Sequence, residues 1–172
     1  MLRHRLITTV LAAGLALATV TAPASASTDA VVQSIEFNAE PGAYPVDGKS
    51  GYWKDPEQEV RISERFVEGR GTVLKADGDN GRYYFRLELL APGGAPLVVG
   101  EYTAQTQRPT ADQGGLVLIS GGLACLDVSG SRFTVERLDR DEAGVVTALD
   151  VDVEQHCPVG SPAFRAHLHV GS

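Results

Sequence analysis

The 172-residue chain is poor in sulfur and in aromatic groups, with two cysteines, one methionine, one tryptophan and 6% aromatic residues in all. Histidine is scarce too, at four, which narrows acid–base chemistry because histidine is the side chain that titrates near neutral pH unaided. Positive charge is in deficit: 15 Lys and Arg stand against 22 Asp and Glu, for a formal net charge of −7. Phosphate backbones and anionic membrane surfaces are held by clusters of Lys and Arg, so nucleic acid and lipid surfaces are excluded as expected partners. After Val20 no apolar run approaches the roughly 20 residues of a membrane helix. Gly-x-Ser-x-Gly, His-Glu-x-x-His, a lysine-bearing phosphate loop and a dinucleotide fingerprint are all missing, which leaves the common hydrolase, metalloprotease and nucleotide chemistries without an anchor. Two carboxylates of the glycosidase kind could be drawn from 22 acids in many ways, so the chain singles out no such pair. A non-catalytic role is the expectation.

What is present begins with Arg3, His4 and Arg5, an apolar run from Leu6 to Val20, and Ala24-Ser25-Ala26. A basic start, a short apolar stretch and a small-residue cleavage pattern describe a Sec-type signal peptide, cut after Ala26. Removing residues 1–26 from 172 leaves 146, and losing Arg3 and Arg5 takes the formal charge from −7 to −9. That length suits one domain. No cysteine sits at the cleavage point to carry a lipid. The expectation is a secreted monomer whose residues 27–172 form one domain, with 27–34 disordered.

Cys125 and Cys157 are the two cysteines, and an even count in an exported chain points to a disulfide. It would close a loop of about 33 residues, worth about 3–4 kcal/mol by loop entropy. A reactive thiol is the less favoured alternative, since thiolate formation needs a basic or His-paired setting. His156 is adjacent in sequence, but neighbours on a strand point to opposite faces.

Strand signals run through the rest. Tyr83 to Leu89, Leu116 to Ile119 and Phe133 to Val135 are aromatic and β-branched, and Gly, Pro, Asp and Asn clusters separate them. Asp77-Gly78-Asp79-Asn80-Gly81 and Ala91-Pro92-Gly93-Gly94-Ala95-Pro96 read as turns. Many short strands with frequent turns imply an all-β antiparallel sandwich or barrel-like domain.

The C-terminal hairpin is the most legible part. Leu149, Val151, Val153, Gln155 and Cys157 fall on one face, and Asp150, Asp152, Glu154 and His156 on the other. After a turn at Pro158 to Pro162, Phe164, Ala166, Leu168 and Val170 form the matching apolar set and Arg165, His167 and His169 face outward. With His156 opposite Ala163, Glu154 faces Arg165, Asp152 faces His167 and Asp150 faces His169. Each cross-strand charge pair contributes a few tenths to about 1 kcal/mol.

That face also carries the metal candidates, His156, His167 and His169 with Asp152. Imidazoles at i and i+2 of a strand share a face, as zinc and copper sites require, although a charge-complementary outer face needs no metal. A calcium reading of Asp139 to Asp150 has Asp at positions 1 and 3, Gly at 6 and a carboxylate at 12. Ala143 at position 5 and the strand-like flanks fail it, so a polar hairpin turn is expected. Asp77, Asp79 and Asn80 receive the same reading. No cofactor is expected.

Glu40 to Tyr44, Phe85 to Pro92, Leu97 to Tyr102, Gly115 to Cys125, Ser131 to Val135 and above all Asp152-Val153-Glu154-Gln155-His156-Cys157 together resemble an uncharacterised family of actinobacterial-type secreted or surface domains. Its members carry a Phe-Glu-Gln-His-Cys-Glu-Gly segment near the C-terminus. The likeness spans roughly residues 35–170 and implies display or binding more than chemistry. The chain departs from the family's Arg-Gly-Cys-Asn run at Leu123-Ala124-Cys125-Leu126, and from Glu-Gly at Pro158-Val159. What still matches is Gln155, His156 and the two cysteines. Glu154, Gln155 and His156 are read as a site or a structural polar cluster, with a structural role favoured for Gln155 and the cysteines, because a buried Gln must find partners and so ties strands or a loop together.

Two functions remain open. One is an extracellular binding module for a glycan or protein, with Tyr44, Tyr52, Trp53 and Tyr102 as candidate contact aromatics. The other is a metal- or thiol-dependent enzyme built on the C-terminal histidines and acids.

Overall fold

A computed structural model describes residues 31–171, and the leader assigned to residues 1–26 lies outside that range. Eleven strands account for most of it: β1 (Val32–Ala39), β2 (Ser50–Lys54), β3 (Glu59–Val67), β4 (Gly71–Asp79), β5 (Tyr84–Leu90), β6 (Gly100–Thr106), β7 (Gly114–Ser120), β8 (Leu123–Ala124), β9 (Asp127–Arg140), β10 (Val146–Gln155) and β11 (Phe164–Gly171). The one helical element among the described residues is a 3-10 turn at Pro92–Gly94, within the Pro/Gly run read as a turn. No helix among the described residues is long and apolar enough to cross a membrane.

The strands form a single sheet in the order β2-β1-β11-β10-β9-β6-β7-β5-β4-β3, with β8 paired to β7. Pairing is antiparallel except between β6 and β7, which run parallel over two residue pairs, Ala104 with Gly114 and Thr106 with Gly115. The fold is thus the expected all-β class, as one mixed and nearly barrel-shaped sheet. Val32, Gln33 and Ser34 belong to β1 and pair with Gly171, Val170 and His169 of β11. The disorder expected for residues 27–34 therefore does not extend to residues 32–34, because the C-terminal strand offers them a complete ladder. Asp77 and Gly78, read as turn residues, lie in β4 opposite Arg86 and Phe85, and the turn starts only at Asn80.

Alternation along the strands puts an apolar set inside. Phe37, Trp53, Phe85 and Phe164 meet there, with centroids 4.7 Å apart for Phe37 and Trp53, 5.1 Å for Trp53 and Phe85, and 5.8 Å for Phe85 and Phe164. Three of them come from β2, β1 and β11, which are neighbours in the sheet, but Phe85 comes from β5, far along the strand order, so its contact with the others requires the sheet to curl. Aromatic pairs of this geometry add about 0.5–1.5 kcal/mol each beyond the area they bury.

Where β2 ends, a side chain continues the closure: Gln33, inward on β1, accepts a hydrogen bond from the Ile62 backbone N–H of β3 at 2.5 Å. One interior end is crossed by an ion pair. Arg140 of β9 donates to both Glu64 carboxylate oxygens, at 2.6 and 2.8 Å, and to the Leu97 carbonyl at 3.0 Å. The Glu64 side chain is only 8% exposed, and its bidentate partner meets the cost of placing it there.

Gly78 is required by the curl, since a Cβ there would stand 2.7 Å from the Trp53 ring. Gly78→Ala is expected to lower stability by about 1–3 kcal/mol through overpacking, read as a shift in the urea midpoint with an unchanged slope. Cys125 and Cys157 are joined, with their Cα atoms 5.7 Å apart. Replacing both with Ser is expected to cost about 3–4 kcal/mol while the far-ultraviolet spectrum of the folded protein stays that of a β-sheet.

Candidate binding site

The C-terminal hairpin adopts the register expected from parity. Asp150 pairs with His169, Asp152 with His167, Glu154 with Arg165 and Gln155 with Phe164. Leu149, Val151, Val153, Phe164, Ala166, Leu168 and Val170 are buried, so the ionisable residues between them line the outer surface. The same alternation in the flanking strands extends each rung. One rung reads Tyr52 of β2, Glu36 of β1, His167, Asp152, Thr134 of β9 and Glu101 of β6. The next reads Ser50, Asn38, Arg165, Glu154, Arg132 and Thr103.

These two rungs enclose a groove of about 370 Å³ on the outer face of β1, β11, β10 and β9, whose polar lining includes Glu36, Asn38, Arg132, Asp152, Arg165 and His167. A second hollow of about 480 Å³ flanks β9, lined by Glu101, Tyr102, Thr103 and Asp112 among others, and shares Arg132 and Thr134 with the first.

Glu154 organises the groove. It receives Arg165 Nε at 3.0 Å and Arg132 Nη2 at 2.9 Å, and His156 Nε2 lies 3.2 Å away. Arg165 also reaches Glu40 at 2.8 Å, and Glu40 takes the Ala163 backbone N–H at 2.9 Å. Partial burial would raise the Glu154 pKa, but the hydrogen bonds from His156 and Arg165 and the charges of Arg132 and Arg165 outweigh it, leaving the carboxyl below its ordinary value. The Arg165 hydrogen bond, chiefly, lowers Glu40 as well.

The Glu-Gln-His-Cys segment has separate tasks for each residue. Gln155 is buried and donates to the carbonyl of the adjacent His156 at 2.8 Å. His156 leaves the ladder: its Nδ1 is 2.7 Å from the Ser161 carbonyl, and its backbone N–H donates to Ser131 Oγ at 2.9 Å. Ser161 Oγ accepts the Cys157 N–H at 2.6 Å. Ser131 and Ser161, both absent from the sequence-based candidates, thus hold the exit from β10; serines are too common for their partners to be read without the tertiary contact.

His156 is therefore apart from the other two predicted imidazoles. His167 Nδ1 lies 2.8 Å from Asp152 Oδ1, and His169 Nδ1 lies 2.7 Å from Asp150 Oδ1. Asp150 lies near both rings, since its Oδ1 is also 3.7 Å from His167 Nε2.

The aromatic candidates separate. Trp53 is 5% exposed and belongs to the interior cluster, because alternation on β2 turns it inward and its neighbour Tyr52 outward. Tyr102 stacks on Phe133 at 4.7 Å, and its hydroxyl is held by the Val98 backbone. Tyr52 and Tyr44 are exposed, at 59% and 40%, and of these Tyr52 adjoins the groove. At the segments considered for calcium, Asp141 accepts the N–H groups of Ala143 and Val145, and Asp79 and Asn80 those of Gly81, Arg82 and Tyr83. Asp77 is engaged by Lys75, Arg86 and Tyr84.

Glu154→Gln is expected to cost about 1 kcal/mol at pH 7, allowing for solvent around its arginine partners. Folding depresses the Glu154 pKa, so the wild type keeps its full advantage above 4.5 and loses it as pH falls through the folded-state value. Urea denaturation at pH 7 and pH 3 is expected to show the difference between wild type and variant at the first pH and a smaller one at the second.

No family model, curated protein or solved structure matches the chain.

Proposed function

We propose that the chain is an exported, non-catalytic binding module that takes an extracellular glycan along the outer face of β2, β1, β11, β10 and β9. The observation that carries this reading is the rung from the exposed Tyr52 ring through Glu36, His167 and Asp152 to Thr134. An aromatic face beside a row of carboxylate, amide and guanidinium groups suits a sugar, whose rings offer apolar C–H faces and whose edges offer hydroxyls. The polar groups stand on paired strands and are fixed by one another, so little ordering cost would fall on binding. The groove's volume lies at the small end of known ligand sites, in keeping with a module that contacts one or two sugar units of a longer polymer. The surface-domain resemblance of the Glu-Gln-His-Cys segment supports the same reading. A thiol mechanism is disfavoured, since both sulfurs are joined in the disulfide.

Retention on insoluble cell-wall polymers, followed by competition with soluble oligosaccharides, tests the reading. Tyr52→Ala and Arg165→Ala are each expected to weaken retention tenfold or more, equivalent to about 1.4 kcal/mol. Failure of the wild type to bind any polymer overturns the glycan reading, and so does retention that neither substitution changes. Capture of a secreted protein in place of polysaccharide would assign the groove to a protein partner instead.

A further inference from the structure

We propose that Asp150, His167 and His169 form a site for one divalent late first-row cation, Zn²⁺ or Cu²⁺, on the outer face of the β10–β11 hairpin. The inference does not rest on the glycan reading, although the two share His167 and Asp152.

His167 and His169 stand at i and i+2 of β11 and project to the same face. Asp150 of β10 is directly across from His169 and diagonal to His167. One ligand atom from each of the three lies within 4.8 Å of the other two. Two imidazoles and a carboxylate make a donor set suited to zinc or copper.

The distances separate this arrangement from a simple ladder of ion pairs. Asp152 takes the Nδ1 side of His167 at 2.8 Å, so the hydrogen of the neutral ring resides on Nδ1 and the lone pair on Nε2. That Nε2 faces Asp150 Oδ1 across 3.7 Å. The gap is too long for a hydrogen bond, yet two donors at about 2.0–2.1 Å from a shared ion reach across it. Asp152 then acts as a positioning residue, the carboxylate that orients a metal-bound imidazole through its other nitrogen.

On the other side, His169 Nδ1 is 2.7 Å from Asp150 Oδ1, and a turn of the ring exchanges that hydrogen bond for a shared ion. Room for the turn is built in. The next outward position on β11 is Gly171, where a Cβ would stand 3.1 Å from His169 Nε2. The cross-strand cation that could neutralise Asp150 is diverted: Arg137 pairs with Asp150 in register but bonds Asp139 at 3.0 Å. The three side chains are between 25% and 42% exposed, so an ion held there keeps a coordination position open to water or to a donor atom from outside.

Isothermal titration of ZnCl₂ and CuCl₂ into the chelator-stripped protein, freed of any histidine tag, is expected to give one ion per chain. His167→Gln and His169→Gln are each expected to abolish that stoichiometric binding, with circular dichroism unchanged. Asp152→Asn keeps all three ligands but loses the orientation of His167, and is expected to weaken affinity 10–100-fold. His156→Gln, whose ring belongs to the Ser161 and Glu154 contacts, is expected to bind as the wild type does. The copper form is expected to show nitrogen hyperfine structure from two imidazoles in its electron paramagnetic resonance spectrum. Absence of saturable binding to the wild type overturns the proposal, as does binding that survives both His167→Gln and His169→Gln.

Discussion

Contact between Phe37, Trp53, Phe85 and Phe164 is the constraint on which the remaining architecture depends. In a flat sheet Trp53 and Phe85 would be separated by the six strands between β2 and β5, far beyond the 5.1 Å at which their rings lie. Burying them together curls the sheet, and the curl brings β1 and β3 near enough for the Gln33 side chain to bridge them. A closed or nearly closed sheet has few unpaired edges to expose, which removes the commonest route to aggregation for a β domain. The close fit of Trp53 against Gly78 is a local consequence of the same geometry.

The curl also determines what faces outward. Because every inward position on β10 and β11 is claimed by the core, each ionisable residue of the hairpin is pushed to one exterior surface. There it meets its counterpart from the adjacent strand at a fixed 2.7–3.0 Å in the Asp150–His169, Asp152–His167 and Glu154–Arg165 pairs. The groups are held by one another, so the face is a rigid and electrostatically mixed platform. Such a platform suits recognition of a polar ligand by fixed donors and acceptors, or capture of a cation by imidazoles of which only His169 has to turn.

The disulfide and the serines stabilise a different part of the fold. Cys125 lies between β8 and β9, and Cys157 follows β10, so the bond fastens the loop that leads into β11. Ser131, Ser161 and Gln155 add polar ties at the same place. The Glu-Gln-His-Cys stretch is thus divided by parity: Glu154 serves the outer groove, Gln155 the interior, and His156 and Cys157 the loop.

Strand and turn composition pointed to the class of fold, the even cysteine count to the disulfide, and alternation to which hairpin residues face inward. Pairing His156 with Ala163 then gave the register of Asp150, Asp152 and Glu154, because a strand's two-residue period fixes the face of each side chain. Alternation alone did not reveal that the strands close into a nearly barrel-shaped sheet, nor that β6 and β7 run parallel, since both depend on contacts between segments far apart in the chain. Reading by residue type likewise grouped Trp53 with Tyr52, and His156 with His167 and His169. Only the tertiary structure turned Trp53 inward, drew His156 to Ser161, and set Asp150 between the other two rings, because a side chain's partners are chosen by neighbouring strands that its own sequence does not name.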